Sequence, residues 1–231
     1  MALGSNNSGD SNRIFLSVGF GKIRQKSIGR EKVTAETPNA VCRKTQAGAD
    51  SWGIEHDYLI GRIVNIFYKE DKDYGNSFEV VIQDGADSYQ LSFKDDNRNW
   101  FDFAKKLPNM NFNEVYKFSP YDFTDKDSGK RRAGFSIKQN AESVPSAYER
   151  KDAGGKWTLL LGYPPSEGMD WQDKDEVKMY TIAVKKFFKN EFETKWKNAF
   201  TVATEPEGLP ETKVTPNTKT KKTLTEEDLP F

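Results

Sequence analysis

YLIGRIVNIFYK, at residues 58–69, predicts a long strand that is interrupted by Gly61. SFEVVIQ, at 77–83, follows across the turn EDKDYGN, whose Asp and Gly residues suit a hairpin loop. SYQLSFK, at 88–94, follows across the short turn DGAD. The three segments therefore predict a meander of consecutive β-strands.

A short helix follows the meander. NRNWFDFAKKL, at 97–107, begins after a capping residue, either Asp96 or Asn97, and ends at Pro108. Its apolar residues at helical spacing are Trp100, Phe103, Ala104 and Leu107. We therefore expect one short helix that interrupts the sheet.

Two further strands are predicted at 114–123 (EVYKFSPYDF) and 131–139 (RRAGFSIKQ), joined by the loop TDKDSGK. The resulting order over 58–139, β-β-β-α-β-β, is that of a five-stranded Greek-key barrel of the OB type. An SH3-like barrel and a plain antiparallel meander with one helix are the competing architectures. We expect a mainly β chain with α elaborations around an OB-fold core.

The flanking segments predict further regions. Residues 1–12 predict a disordered leader, and 13–57 predict an N-terminal strand followed by a basic arm with few apolar anchors, which orders on binding. Residues 140–200 contain a strand, KWTLLLG at 156–162, and an amphipathic helix at 176–199. We expect this last region to pack on the core.

The composition excludes several classes of protein. Cys42 is the only cysteine and His56 the only histidine, so an intrachain disulfide and a Cys/His zinc site are out of reach. The chain has neither an apolar run of about 18 residues nor a basic and apolar leader, so we expect no membrane span and a cytoplasmic location. GFGK at 19–22 lacks the remaining glycines of a phosphate-binding loop and is interpreted as a β-bulge. We expect a non-enzyme with no cofactor and no metal.

The formal net charge is zero, but the two ends differ. Residues 13–44 hold eight basic and two acidic residues, whereas 223–231 hold three acidic residues and no basic one. This separation indicates a polyanion-binding body and a tail that binds either another partner or the body itself. The 16 Phe, 9 Tyr and 5 Trp of the chain are too many for a disordered protein, so aromatic rings must be buried or stacked upon.

Alternation along the strands predicts which side chains face outward. If Phe78, Val80 and Ile82 face the core, the opposite face and the strand ends carry cations and aromatic rings. Single-stranded nucleic acid is bound by this mixture, because cations follow the phosphates and rings stack on unpaired bases. The expected phosphate contacts are Lys22, Arg24, Lys26, Arg30, Lys32, Arg62, Lys94, Lys117, Arg131, Arg132 and Lys138. The expected stacking rings are Tyr68, Tyr116, Tyr121 and Phe123.

The chain ends on Glu226-Glu227-Asp228-Leu229-Pro230-Phe231. These six residues resemble the acidic tip of bacterial and phage single-stranded DNA-binding proteins, with Leu229 where that family usually has isoleucine. The extended N-terminal strand, the large hairpins and the C-terminal helix look more like the divergent phage-encoded versions. The tip follows a stretch rich in Pro, Thr, Glu and Lys, and 201–231 is therefore predicted to be a disordered tail.

The resemblance implies a protein that coats and protects exposed single-stranded DNA in replication, recombination or repair. It also implies that the tip recruits replication or recombination proteins, because a terminal ring and carboxylate suit an apolar pocket rimmed by Arg or Lys. An RNA-binding OB module and a scaffold protein without a nucleic-acid ligand are the alternatives. Self-association into a homo-oligomer is left open.

Overall fold

A computed structural model describes residues 13–45, 47–127, 129–155 and 157–200. The chain is mainly β with a few helices. The strands are β1 Arg13–Gly19, β2 Lys22–Gln25, β3 Ser27–Ile28, β4 Glu31–Lys32, β5 Ala40–Lys44, β6 Asp50–His56, β7 Leu59–Lys69, β8 Ser77–Asp84, β9 Asp87–Lys94, β10 Tyr116–Thr124, β11 Arg131–Gln139, β12 Glu142–Ser143, β13 Glu149–Lys151 and β14 Trp157–Leu159. The helices are α1 Arg98–Ala104, a 3-10 turn Leu107–Asn109, α2 Lys174–Glu191, a π turn Phe192–Trp196 and α3 Lys197–Ala199.

One ten-stranded sheet organises the described residues, in the order β12-β11-β10-β7-β8-β9-β1-β2-β6-β5. The predicted meander is confirmed, because β7, β8 and β9 pair antiparallel in sequence order. The predicted helix lies next in the chain, where the side chain of Asn97 accepts a hydrogen bond from the backbone N–H of Asn99 and so caps α1. The order β-β-β-α-β-β over 58–139 is therefore the observed one.

The expected five-stranded OB-type barrel is not confirmed, because the described strands form no closed barrel. In place of a closing strand, a side chain of α1, Asp102, and one from just after the helix, Lys106, occupy the edge of β11. Phe135 donates its N–H to Asp102 Oδ2 at 2.6 Å, and its carbonyl accepts from Lys106 Nζ at 2.7 Å. The edge of β9 that would face β11 in a barrel pairs with β1 in parallel.

The N-terminal arm differs from the expectation of a loop. Residues 25–50 contribute strands, and β5 and β6 extend the main sheet beyond β2. GFGK at 19–22 is a hairpin turn and no bulge, because Phe20 and Gly21 have φ of +57° and +69° and join β1 to β2 directly. Short local strands with mixed polar residues carry too weak a periodic signal to be recognised, and pairing with neighbours stabilises them.

The core lies between the sheet and the C-terminal helices. Phe78 on β8 stacks on Trp100 of α1 at a ring-centroid distance of 4.1 Å, and Phe188 of α2 meets Trp100 edge-on at 6.5 Å. Buried residues recur every four positions from Val184 to Trp196. This spacing is wider than the 3.6-residue period of an α-helix. The wider π turn returns the last of them to the core, so the predicted helix at 176–199 is divided. The strand predicted at 156–162 is observed only over Trp157–Leu159, as β14.

Candidate nucleic-acid interface

Three neighbouring strands present one continuous outer face. β7, β10 and β11 are adjacent, and alternate residues of each point away from the core. Ile60, Lys117 and Lys138 form one row across the three strands, and Phe123 is paired with Arg132 at the other end. We call this surface the outer face, and its residues are Tyr58, Ile60, Arg62, Lys117, Ser119, Tyr121, Phe123, Arg132, Gly134, Ser136 and Lys138.

The outer face carries three exposed aromatic rings. Tyr121 and Phe123 are 37% and 53% exposed, and their ring centroids are 6.0 Å apart. Tyr58, just before β7, is 49% exposed and has the ammonium of Lys117 3.9 Å from its ring centroid. Between Lys117 and Tyr121 on β10, the pair Ser119–Ser136 supplies small side chains. A planar ligand can therefore approach the rings closely.

The cations of the outer face surround these rings. Arg132 pairs with Asp125 across 2.9 Å and keeps 58% of its side chain exposed. Lys117 and Lys138 border a shallow groove of about 450 Å³ whose apolar side is Ile60 and Val115. Burial and the nearby Asp102 raise the pKa of Tyr121, against the opposing charges of Arg98 and Arg132. Tyr121 is therefore a neutral hydrogen-bonding ring beside two guanidinium groups.

Two predicted stacking rings do not belong to this surface. Tyr116 is 2% exposed, and its hydroxyl accepts a hydrogen bond from the N–H of Asn111. Tyr68 packs on Phe78 at 4.8 Å and donates to Asp95 at 2.9 Å. Burial, together with the hydrogen bond to Asp95, raises the pKa of Tyr68 to about 12. Both rings are structural, so these predictions are wrong.

A β-bulge explains the misplacement of Tyr68. The register of β7 against β8 shifts between Ile63 and Asn65, and Ile63 and Ile66 are both buried although they are three residues apart. One extra residue reverses the face of everything that follows it. Arg62 and Tyr68, which alternation places together, therefore point to opposite sides of the sheet.

Several predicted phosphate contacts are already engaged by protein groups. Arg24 is 3% exposed, with Nε 3.2 Å from Glu55 and Nη2 donating to the carbonyls of Val41 and Ser51. Lys94 bonds the carbonyls of Tyr74 and Gly75 at the β7–β8 hairpin. The buried Arg24 is unavailable to a phosphate, and Lys94 lies outside the outer face.

The remaining predicted cations divide between the outer face, its edges and the separate β3–β4 hairpin. Lys22 pairs with Asp57, next to Tyr58, and Arg131 pairs with Asp122. The hydrogen bonds from Arg131 hold the pKa of Asp122 below its usual value. Lys26, Arg30 and Lys32 are exposed on or beside the β3–β4 hairpin. The sheet thus brings together Arg62, Lys117, Tyr121, Phe123, Arg132 and Lys138 of the predicted set.

The structure adds residues that sequence reasoning missed. Tyr58 was not among the predicted stacking rings, and its contact with Lys117 places its ring on the outer face. Arg98, at the start of α1, acts on Tyr121 from a different element. The signal for Tyr58 was its spacing of two residues from Ile60, which the alternation rule places on the same face.

Comparisons with protein-family models, with curated proteins and with solved structures found no match to this chain. Among the described helices, none is long and apolar enough to cross a membrane. The same residues contain no group of three or more His, Cys, Asp or Glu side chains arranged to hold a metal ion. The acidic tip at 226–231 lies outside the described residues. Its role rests on the sequence.

Proposed function

We propose that this protein binds single-stranded DNA on the outer face and acts as a single-stranded DNA-binding protein in replication, recombination or repair. The observation that carries the proposal is the row of exposed rings Tyr58, Tyr121 and Phe123, interleaved with Lys117, Arg132 and Lys138. Each base offers a ring face for stacking whatever its identity, and each phosphate offers a charge to a neighbouring cation. This combination suits coating without sequence preference.

The geometry favours an unpaired strand over a duplex. The rings of Tyr121 and Phe123 are 6.0 Å apart, whereas bases in a duplex rise by about 3.4 Å. Two bases lying on these rings are therefore separated from each other, which a duplex resists and an unpaired strand accommodates. The small side chains of the paired Ser119 and Ser136 leave room for a base to approach the sheet.

The strand order is consistent with an OB-type core, a fold that binds oligonucleotides on its second and third strands and through two hairpin loops. One of these loops, between β10 and β11, follows Phe123 and Thr124 directly. We further propose that the tail recruits partner proteins through Phe231, its carboxylate and the acids before it, as the resemblance of the tip to the family implies. An RNA-binding OB module is the second candidate, because no group of the outer face selects the deoxyribose of DNA over the ribose of RNA.

The test is an anisotropy titration of fluorescein-labelled oligo-dT, with the matched oligo-U in parallel. Tight, salt-sensitive binding of oligo-dT, weakened by Phe123→Ala by about 1 to 3 kcal/mol, is the expected result. Phe15→Ala is the control, since Phe15 on β1 is also 53% exposed and lies four strands from β10 in the sheet. Preference for oligo-U supports the RNA-binding module, and binding of neither supports a scaffold.

A further inference from the structure

The turn between β1 and β2 carries an exposed phenylalanine to the edge of the outer face. Gly21 lies against β10, because a Cβ at this position would be 2.7 Å from the backbone nitrogen of Asp122. On the other side of the turn, Lys22 pairs with Asp57, which precedes Tyr58. The turn is therefore fixed beside both Tyr58 and Tyr121.

The ring of Phe20 lies on the same side of the sheet as these two rings. Ile23 points into the core with 1% exposure, so Arg24 points outward from β2. The guanidinium carbons of Arg24 and Arg43 are 5.7 and 5.5 Å from the centroid of the Phe20 ring. Phe20 thus packs on Arg24 and Arg43 on the side of the sheet opposite the core, close to the outer face.

An ionic cluster around Glu55 holds this ring in place. Glu55 pairs with Arg24 at 3.2 Å and with Arg43 at 2.8 Å, and its side chain is only 9% exposed. Phe20 nevertheless remains 49% exposed and adopts a φ of +57°, a strained conformation for a bulky residue. Backbone strain of this kind is concentrated at sites that contact ligands.

We propose that Phe20 is a further stacking platform for an unpaired nucleobase, with Arg43 as its phosphate contact. This inference rests on the proposed function, and it extends the path of the strand from Tyr121 and Phe123 onto the β1–β2 turn. The cations beneath the ring fix its orientation, and its exposed face accepts the base. None of the sequence patterns places Phe20 near Tyr121, since they are about 100 residues apart.

The test uses two substitutions at this position. Phe20→Asn removes the ring but suits a positive φ, so the turn is kept. It should weaken binding of labelled oligo-dT by roughly 5- to 150-fold, the usual loss for one stacked base. Phe20→Trp should retain affinity, and oligo-dT should quench its fluorescence more than that of the wild-type protein, because the added indole stacks on a base.

The controls separate this inference from the proposed function. Phe15→Ala should bind like the wild type, and a thermal melt of Phe20→Asn should show a folded protein. Wild-type affinity for Phe20→Asn, while Phe123→Ala binds weakly, overturns the role of Phe20 and leaves the outer face in place. A wild-type protein that binds no oligo-dT overturns the proposed function itself.

Discussion

Tyr121 lies over Gly134 on the neighbouring strand. The two residues are paired in the β10–β11 register, and a Cβ on Gly134 would lie 2.4 Å from the Tyr121 hydroxyl oxygen. It would also lie 2.5 Å from Asp102 Oδ2, which accepts the backbone N–H of Phe135. Because Gly134 has no side chain, the Tyr121 ring can lie directly over this position on the outer face.

Gly134→Ala should weaken binding of oligo-dT without removing any contacting group, because the added methyl displaces the Tyr121 ring. A modest drop in melting temperature should accompany it, since Asp102 must also move. Anisotropy and thermal melts measure the two effects. Gly154→Ala is the matched control, because its Cβ would meet nothing closer than 3.4 Å. Unchanged affinity in Gly134→Ala would remove Tyr121 from the binding surface.

The salt dependence of binding should report which lysines contact phosphates. Lys117→Gln and Lys138→Gln, on the outer face, should each reduce the slope of log K against log salt by about 0.7, the value for a single-strand phosphate contact. Lys94→Gln should leave the slope unchanged, because Lys94 bonds backbone carbonyls at the β7–β8 hairpin. A larger change of slope in Lys94→Gln than in Lys117→Gln and Lys138→Gln would show that the interface does not lie on β10 and β11.

The ion pair between Asp102 of α1 and Lys106, just after the helix, should contribute strongly to stability. Asp102 and Lys106 occupy the N–H and the carbonyl of Phe135, and burial lowers the pKa of Lys106. Asp102→Ala leaves the ammonium without its carboxylate, so the free energy of unfolding should fall by about 3 kcal/mol in urea denaturation. Lys44→Ala, which breaks an exposed pair with Asp50, should change little. Equal stability of the two variants would contradict the role of this pair.

Acid should destabilise the arm through Glu55. Its hydrogen bond with Arg43, with the charges of Arg43 and Arg24, holds the pKa of Glu55 below its ordinary value of 4.5. Because the folded state keeps this carboxylate ionised to lower pH than the unfolded state does, the stabilisation is present above pH 4.5 and is lost as the pH falls through the lower, folded-state value.

The measurement is urea denaturation at several values between about pH 5 and pH 3. Glu55→Gln should be less stable at neutral pH, and its stability should fall less steeply on acidification. Glu36→Gln, at an exposed position, should keep the wild-type profile. A profile for Glu55→Gln as steep as that of the wild type would show that other carboxylates dominate.

The anionic tip should compete weakly with DNA for the cationic body. If residues 201–231 form the flexible tail that their composition predicts, its reach is about 30 Å, which would be enough to contact the outer face of the same molecule. Deleting 226–231 should therefore tighten oligo-dT binding modestly at low salt, where screening is weak. Phe231→Ala should leave DNA affinity nearly unchanged, since it retains the acids. Weaker DNA binding by the deletion variant would contradict this competition.

The sequence by itself determined the local elements, because period-two alternation, turn residues and the cap at Asn97 are encoded within a few positions of each other. It also contained the information that separates Tyr116 from Tyr121, since residues five apart on a regular strand face opposite sides.

The tertiary structure alone decided where the elements meet. The bulge in β7 places Tyr68 on the opposite face of the sheet from Arg62. Arg24 is buried in an ion pair with Glu55, and Asp102 and Lys106 bond the backbone at the edge of β11. Gly21 reached Asp122 across about 100 residues of chain. Such contacts depend on the order of strands in the sheet and on the backbone N–H and C=O groups at strand edges. Because nearly every residue carries the same backbone groups, no pattern of side chains predicts these contacts.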